Sequence, residues 1–369
     1  MTTTASRYDT IVVGLGGMGS ATLYHLSRRG ERVLGLEQFD IPHSMGSSHG
    51  VTRIIRLAYF EDPSYVPLLR RAYELWRELE SSFGEQLLHI TGSIDAGLPD
   101  GTVIQGALRA CAEHDLPHEV LSAQELAKRF PGYHLPDTMQ AVFQPDGGFL
   151  MSERCIVAHV MGALAAGATV RGREPVNDWE VDAAQDVVRV RTSRDVYEAR
   201  RLVITAGAWA GKLVPELEEL AVPERQVLAW LQPNRPDEFT PERFPVFNLE
   251  APEGHLYGFP VYSIPGFKVG LYHHLNEVID PDTFDRSDFN QRDEEILRSI
   301  TASYFPEAVG PTLSLKCCMF TNSPDEHFII DRHPLHEQVI LAAGFSGHGY
   351  KFCSVAGEIL ADLAQEGET

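Results

Sequence analysis

The sequence lacks the features that mark membrane, exported or nucleic-acid-binding proteins. No apolar run approaches the roughly 20 residues of a transmembrane helix, and the first hydrophobic segment follows no basic, signal-like region. Positive charge is scarce, because 31 Lys and Arg stand against 52 Asp and Glu, for a net charge of −21. Such a charge repels phosphate backbones and anionic lipid. We therefore expect a cytoplasmic protein with neither nucleic acid nor membrane as a partner.

Cysteine and lysine are also scarce. The five cysteines form no C-x-x-C pair and no zinc-type spacing with histidine, so we expect reduced thiols and no metal site. Only five lysines occur, and a lysine inside a strand or beside a glycine-rich turn is therefore informative. Lys268 and Lys351 occupy such positions. The cysteines are Cys111, Cys155, Cys317, Cys318 and Cys353.

What the chain does have is a dinucleotide-binding signature at its start. An apolar strand over residues 10–13 runs into Gly-x-Gly-x-x-Gly, and the acid Glu37 ends the next apolar run. Such glycines permit the tight turn, the approach of the backbone to a pyrophosphate and close packing of helix on strand. The helix N-terminus adds positive dipole, and the acid binds ribose hydroxyls. The nucleotide-binding residues predicted here are Gly14, Gly16, Gly17, Gly19 and Glu37.

The order of predicted elements indicates two interleaved domains. Helical periodicity predicts helices over 63–82, 103–114, 122–130, 152–166, 291–304 and 353–365, while alternating strands dominate 221–320. We expect an α/β fold in which a Rossmann-like domain (1–88, 150–220 and 321–369) is interleaved with an α+β substrate domain (89–149 and 221–320). The substrate domain is built on a mostly antiparallel sheet.

This interleaving favours FAD over NAD. A nicotinamide dehydrogenase usually keeps its nucleotide-binding unit contiguous, whereas glycine-rich strand ends recur here near residues 14, 207 and 347. An extended ligand that is held at several separated points fits this spacing better.

Five motifs in order resemble the monomeric sarcosine oxidase family of FAD-dependent amine oxidases, which includes N-methyltryptophan oxidase. The likeness covers nearly the whole chain. It depends on residues 46–56, 257–260, 268–270, 318–331 and 344–352.

The resemblance implies three groups of residues around the flavin ring and the substrate. Arg56 and Lys351 match the pair that holds the substrate carboxylate, and two cations suit an amino-acid substrate. Lys268 matches the lysine on the other flavin face, where a positive charge assists the reaction with oxygen. His49 and Arg53 match the family's histidine and arginine near the flavin ring. Family residues that line the substrate cavity are matched by Tyr257, Gly347 and a histidine after Tyr272, either His273 or His274.

The resemblance also implies a covalent cofactor link. Cys318 matches the cysteine that carries FAD as a thioether, while Cys317 should face the other way because side chains alternate along a strand. Phe320 departs from the family pattern, in which a tyrosine stands, and Leu271 resembles an insertion; both suggest a different pocket. The further cofactor residues implied are Met18, His43, Ser47, Ser48, Arg53, Val176, Met319, Phe345, Gly347, His348, Gly349 and Lys351.

The function implied is oxidation of a secondary, N-methyl amino acid such as sarcosine by a monomeric enzyme. Oxygen and water are consumed, and hydrogen peroxide, an aldehyde and an amino acid are released. Two alternatives stay open: an oxidase of a bulkier or cyclic amino acid, such as N-methyltryptophan, pipecolate or a proline-like compound, and a flavoprotein without oxidase activity.

Overall fold

The computed structural model describes residues 7–369 of the chain. The strands in this part are β1 (Arg7–Val13), β2 (Val33–Leu36), β3 (Thr52–Ile55), β4 (Leu88–Ile90), β5 (Ser93–Gly97), β6 (Glu119–Ser122), β7 (Gln140–Gln144), β8 (Gly148–Met151), β9 (Thr169–Arg171), β10 (Val176–Asp182), β11 (Val187–Thr192), β12 (Val196–Ile204), β13 (Val222–Leu231), β14 (Val246–Ala251), β15 (Gly254–Phe259), β16 (Phe267–Leu271), β17 (Thr312–Asn322), β18 (Ile329–His333) and β19 (His336–Ala343). The α-helices are α1 (Gly17–Arg28), α2 (Val66–Phe83), α3 (Thr102–His114), α4 (Ala123–Arg129), α5 (Ser152–Ala165), α6 (Ala210–Leu213), α7 (Gln291–Tyr304) and α8 (Cys353–Gln365).

The first sheet is built from both ends and the middle of the chain. Its order is β10-β11-β12-β1-β2-β9, and β19 pairs with β12 and with β18. The long strand β12 accommodates two neighbours on one edge, because β11 pairs with its first half and β19 with its second. Strands β2, β1, β12 and β19 are parallel to one another, so their carboxyl ends meet at one edge of the sheet.

Both faces of this sheet are buried. Along β1, Ile11 and Val13 belong to one apolar cluster, whereas Val12 belongs to another on the opposite face. Helices α1, α5 and α8 pack together on this domain. Strands of a parallel sheet that is covered on both faces consist of continuous apolar residues, and the strand before Gly14 has such a sequence.

The second sheet belongs to the other segments of the chain. Its order is β17-β13-β16-β15-β14-β5-β7-β6, and every pairing is antiparallel except that of β14 with β5. Its core is rich in aromatic rings. The ring centres of Phe244, Phe247, Phe267 and Phe305 lie 4.5–6.1 Å from one another. A small third sheet has the order β3-β8-β4. Its strands lie in the segments where the chain passes from the first sheet to the second and back.

The α/β fold with an antiparallel second sheet is as predicted. Helices α7 and α8 have the predicted bounds, and α2 begins at Val66, after a single 3-10 turn over Pro63–Tyr65. The strands of the first two sheets lie within the predicted segments, except that β17 crosses the boundary expected at residue 320; in the third sheet, β4 and β8 cross the boundaries expected at residues 88 and 149. The domain boundaries themselves stay predictions. Among residues 7–369, no helix is both long and apolar enough to cross a membrane.

Candidate active site

A cavity of about 380 Å³ lies between the two sheets. The first sheet contributes three turns that follow β1, β12 and β19, and the second sheet contributes side chains of β13, β14, β15 and β17 and of Tyr272, which follows β16. The predicted site residues that line this cavity are Gly14, Gly16, Gly17, Met18, Glu37, His43, Ser47, Ser48, Arg53, Arg56, Val176, Tyr257, Cys318, Met319, Phe345, Gly347, His348, Gly349 and Lys351.

The first turn fits a dinucleotide because side chains there are excluded. Gly14 has φ +88°, and a Cβ on it would lie 2.6 Å from the Thr205 carbonyl oxygen. A Cβ on Gly19 would lie 1.8 Å from the Gly14 carbonyl oxygen, so Gly19 serves the packing of α1 on β1 and does not line the cavity. At Gly16 a Cβ would meet only Ser48 Oγ, at 3.5 Å. The missing side chain at Gly16 therefore leaves room for a ligand.

The polar groups around this turn suit the pyrophosphate and the ribose of a dinucleotide. Helix α1 begins at Gly17 and has no acid in its first turn, so its N-terminal N–H groups can meet an anion. Glu37 is buried, and its two carboxylate oxygens accept the Leu15 and Phe39 N–H groups at 2.8 and 3.0 Å. Carboxylate oxygens have further lone pairs that can accept ribose hydroxyls. The residues of the cavity thus fit FAD.

A buried cluster of opposite charges forms another part of the cavity wall. The guanidinium of Arg56, 2% exposed, donates to both carboxylate oxygens of Glu61 at 2.7 and 2.8 Å. Its Nε lies 3.8 Å from Asp95 Oδ1. Although burial opposes the charge, Glu61 and Asp95 raise the pKa of Arg56. Burial also opposes ionisation of Glu61, but the Arg56 charge lowers the pKa of Glu61 to about 2.

Lys351 contributes a second cation near Arg56. Its Nζ donates to the His348 carbonyl oxygen at 2.7 Å and lies 5.1 Å from the centre of the Tyr59 ring. Burial, together with the nearby Arg56 charge, lowers the pKa of Lys351 to about 7. Arg56 and Lys351 were predicted to meet one anion, and the fold brings both to the same cavity.

Cys318 lies in the cavity wall and Cys317 does not. The two are adjacent on β17 and their side chains alternate: the thiol of Cys317 points to the Asp288 carbonyl oxygen, 3.3 Å away, within the core of the second sheet. The sulfur of Cys318 lies 3.8 Å from Arg53 Nη2. Arg53 is held by the Ser47 and Thr52 carbonyl oxygens at 2.7 and 2.9 Å.

Lys268 and His49 lie behind the wall and not on it. Lys268 Nζ donates to the carbonyl oxygens of Gly50 and Thr52 at 2.8 and 2.7 Å, and the centre of the Phe259 ring is 4.2 Å away. Burial lowers the pKa of Lys268. His49 is buried, lines a neighbouring surface pocket, and has no hydrogen-bond partner on either ring nitrogen within residues 7–369.

The prediction that His273 or His274 faces the cavity is wrong. Strand β16 ends at Leu271, so Tyr272 lines the cavity and the chain then turns away through left-handed backbone at His273 and His274. His273 bridges two glutamates, Glu224 and Glu326, and His274 pairs with Asp293 at 2.7 Å.

Sequence reasoning also missed several polar residues around Arg56, namely Glu61, Asp95 and Asn248. Glu61 lies five residues after Arg56, and an acid so close to a predicted anion-binding arginine is a signal that could have been used. Asp95 and Asn248 gave no such signal, because they meet only when β5 and β14 pair.

Comparisons with known proteins agree with this geometry. The family described as "DAO: FAD dependent oxidoreductase" matches residues 9–363. The chain is 44% identical over 367 residues to the monomeric sarcosine oxidase of Streptomyces avermitilis, covering 98% of this chain and 94% of that protein. It is 36% identical over 362 residues to the N-methyl-L-tryptophan oxidase of Yersinia pestis, covering 97% and 95%.

A solved structure shows the same fold. The open form of NikD, an unusual amino acid oxidase essential for nikkomycin biosynthesis, matches with a TM-score of 0.84 and 27% identity. The match covers 99% of this chain and 95% of that one.

We predict that carboxylate binding weakens as the pH rises through about 7, the lowered pKa of Lys351. Above that pH the amine loses its proton, so an anion meets one cation fewer, and affinity falls by up to about tenfold per pH unit. The measurement is the dissociation constant of acetate, followed by the visible absorbance of the FAD-loaded protein.

Lys351→Met is the matched control and should remove the step near pH 7. In that variant the dissociation constant of acetate should still depend on pH around pH 6. Burial raises the pKa of Asp95 to about 6, and the ionised Asp95 also repels the anion. An unchanged step in Lys351→Met would assign the titration to another group.

Proposed function

The chain belongs to the DAO family of FAD-dependent oxidoreductases, in the group that contains monomeric sarcosine oxidase and N-methyltryptophan oxidase, and on that premise we propose that it oxidises a secondary, N-methyl amino acid. Oxygen and water are consumed, and hydrogen peroxide, an aldehyde and the demethylated amino acid are released. The observation that carries the proposal is the pair of buried cations, Arg56 and Lys351, in the cavity that fits FAD. The resemblance drawn from the motifs is confirmed.

The residues of the chain bind and orient the substrate. FAD held by these residues would supply the two-electron redox chemistry between the amine and oxygen. Arg56 offers a planar fork to the substrate carboxylate, and Lys351 adds a compact charge. Oxidation requires the neutral form of the amine, in which the nitrogen lone pair is free. We assign no dedicated base, because an amine that binds neutral needs none.

A bulkier or cyclic amino acid is the second candidate substrate. Phe320 and Tyr272 lie with ring centres 5.4 Å apart, and both line the cavity. The Phe320 ring covers Gly347 so closely that a Cβ there would lie 2.5 Å from it. This apolar wall favours an apolar substituent on the substrate over the unsubstituted carbon of sarcosine.

The other assignments remain part of the proposal. Gly14, Gly16, Gly17, Met18, Glu37, His43, Ser47, Ser48 and Val176 would bind the adenosine and pyrophosphate, while Arg53, Met319, Phe345, Gly347, His348 and Gly349 would surround the flavin ring. Tyr257 would contact the substrate. His49 would tune the site from behind the wall. A monomer is proposed from the name of the Streptomyces avermitilis relative.

The proposed activity predicts peroxide release that depends on a carboxylate in the substrate. The panel contains sarcosine, N-methyl-L-alanine, N-methyl-L-tryptophan and L-proline, together with N-methylethylamine, which lacks a carboxylate. Removal of one charge-assisted contact costs about 1.5–3 kcal/mol, so Arg56→Met and Lys351→Met should each lower kcat/KM for the amino acids by roughly ten- to a hundredfold.

Arg56→Lys should also lose activity, because an ammonium cannot reproduce the planar fork. N-methylethylamine should be a poor substrate of the parent and should respond little to either change. Equal losses on both kinds of amine would show that Arg56 and Lys351 support the cofactor or the fold and not the carboxylate. Absence of peroxide with every compound would contradict the oxidase assignment.

We further propose that Cys318 carries FAD through a thioether. Cys318 lies in the cavity wall beside Arg53, whereas Cys317 is directed into the core. After acid precipitation, flavin should stay in the pellet of the parent and of Cys317→Ser, and it should move to the supernatant for Cys318→Ser. A colourless pellet from the parent would contradict the link.

Lys268 is proposed to assist the reaction with oxygen. A buried charge close to the flavin is worth far more than one in water, and loss of one preorganised group typically costs roughly 100- to 1,000-fold. Lys268→Met should slow reoxidation of the reduced flavin by this factor and should change its anaerobic reduction by substrate much less.

Lys316→Met is the matched control for Lys268. The Nζ atoms of Lys316 and Lys268 each lie 5.6 Å from the centre of the Trp230 ring, but Lys316 lines the neighbouring surface pocket. Its replacement should leave reoxidation nearly unchanged. If Lys268→Met instead abolished reduction by substrate, Lys268 would belong to the substrate site.

A further inference from the structure

Three neighbouring strands of the second sheet place Asp95, Asn248 and Tyr257 in one row. Asn248 on β14 is in register with Asp95 on β5 and with Tyr257 on β15. Directly opposite residues of paired strands point to the same face of a sheet. Asn248 and Tyr257 both line the cavity, and Asp95 lies next to them behind its wall.

Asp95 fixes the orientation of the Asn248 amide. Asn248 Nδ2 donates to Asp95 Oδ1 at 2.8 Å. Burial raises the pKa of Asp95 to about 6, so Asp95 is a carboxylate above that pH and can only accept hydrogen bonds. The amide group must therefore point its NH₂ towards Asp95 and its carbonyl oxygen away from it.

The carbonyl oxygen of Asn248 is left as a free acceptor. Asn248 is buried, with 3% of the residue exposed. Within residues 7–369, Oδ1 makes no hydrogen bond, and neither do the nearby buried atoms Asp95 Oδ2 and Arg56 Nε. Buried polar atoms without partners are uncommon, and here they surround a ligand cavity.

Tyr257 leaves Asn248 uncovered. Tyr257 is opposite Gly270 of β16, and a Cβ on Gly270 would lie 2.5 Å from both Cζ and Oη of the tyrosine. The Tyr257 ring therefore leans over Gly270, away from β14. Asn248 lines the cavity, and the Tyr257 ring is directed away from it.

The position of Asn248 identifies the part of a substrate that could reach it. Cys318, the proposed flavin attachment, is on β17, and the sheet order β17-β13-β16-β15-β14 separates it from Asn248 by four strand spacings. Four spacings amount to roughly 19 Å. Asn248 is thus separated from the proposed attachment point of the flavin and is next to Arg56 through Asp95, so a substrate whose carboxylate is bound by Arg56 can direct its side chain towards Asn248.

We propose that Asn248, oriented by Asp95, forms a hydrogen-bond-accepting subsite for a donor on the substrate's side chain. The inference rests on the proposed function and narrows it. The preferred substrates are secondary amino acids whose side chains carry a hydroxyl, amide or ammonium group, and sarcosine is a poorer one.

The test compares N-methyl-L-serine with N-methyl-L-alanine, which differ by one hydroxyl. At pH 8 the parent should prefer the serine compound in kcat/KM by about tenfold, because a site with an unpaired acceptor discriminates against a ligand that lacks the donor. Asn248→Leu should abolish this preference, so that the ratio of the two kcat/KM values falls to about one.

Two further variants separate the subsite from folding. Asp95→Val combined with Asn248→Leu removes the hydrogen-bonded pair and also one counter-ion of Arg56, so kcat/KM should fall for both compounds, but their ratio should show the same loss of preference as in Asn248→Leu. Asp95→Asn should reduce the preference only in part. The amide introduced at position 95 can either accept from or donate to Asn248, so the Asn248 carbonyl oxygen points towards the cavity in only a fraction of the molecules. A purely structural role would leave the ratio of the two substrates unchanged.

Equal kcat/KM values for the two compounds in the parent would overturn the subsite, as would a preference that persists in Asn248→Leu. The ligand-induced rise in Tm gives a second readout that needs no turnover. If neither compound releases peroxide, the proposed oxidase function fails. A larger rise in Tm with N-methyl-L-serine, lost in Asn248→Leu, would still support the subsite, and equal rises would still contradict it.

Discussion

Burial of the Arg56 charge is the constraint on which the rest of the site depends. Transfer of an ion out of water costs several kcal/mol even after relaxation, so a guanidinium that is 2% exposed requires opposite charges at close range. Glu61 and Asp95 supply them from different parts of the chain. With Lys351 in the same cavity, two cations face two carboxylates, and each group's pKa depends on the others.

The interleaved chain follows from the geometry of parallel strands. The turns at Gly14, Gly207 and Gly344 follow β1, β12 and β19, and these strands are parallel neighbours. Their carboxyl ends therefore open at one edge of the sheet, where dinucleotides bind in such folds. The second sheet is inserted between these strands in sequence, so its strands β13, β14, β15 and β17 can cover the same edge. A cavity closed from both sides is the consequence.

Local rules were sufficient for much of this arrangement, and long-range pairing accounts for the rest. Glycine spacing predicted the turn at residues 14–19, and alternation along β17 separated Cys318 from Cys317. The sequence could not place Tyr272 in the cavity, because β16 ends at Leu271 and the left-handed backbone at His273 is set by the loop and not by residue type. The pairing of Asp95 with Asn248 spans 153 residues and has no local signal.

The charge balance also constrains how Glu61 and Asp95 can respond when a substrate carboxylate binds. A substrate carboxylate would add a third negative charge around Arg56, more than the two cations can neutralise. Asp95 is fully buried and tied to Asn248, whereas the Glu61 side chain keeps 17% of its surface exposed and its hydrogen bonds go to Arg56 alone. Glu61 can regain solvation if it moves towards water, whereas Asp95, whose pKa burial raises to about 6, can lose its charge only by taking up a proton. Either response leaves two negative charges beside the two cations, and through Asn248 the state of Asp95 shapes the wall that the substrate meets.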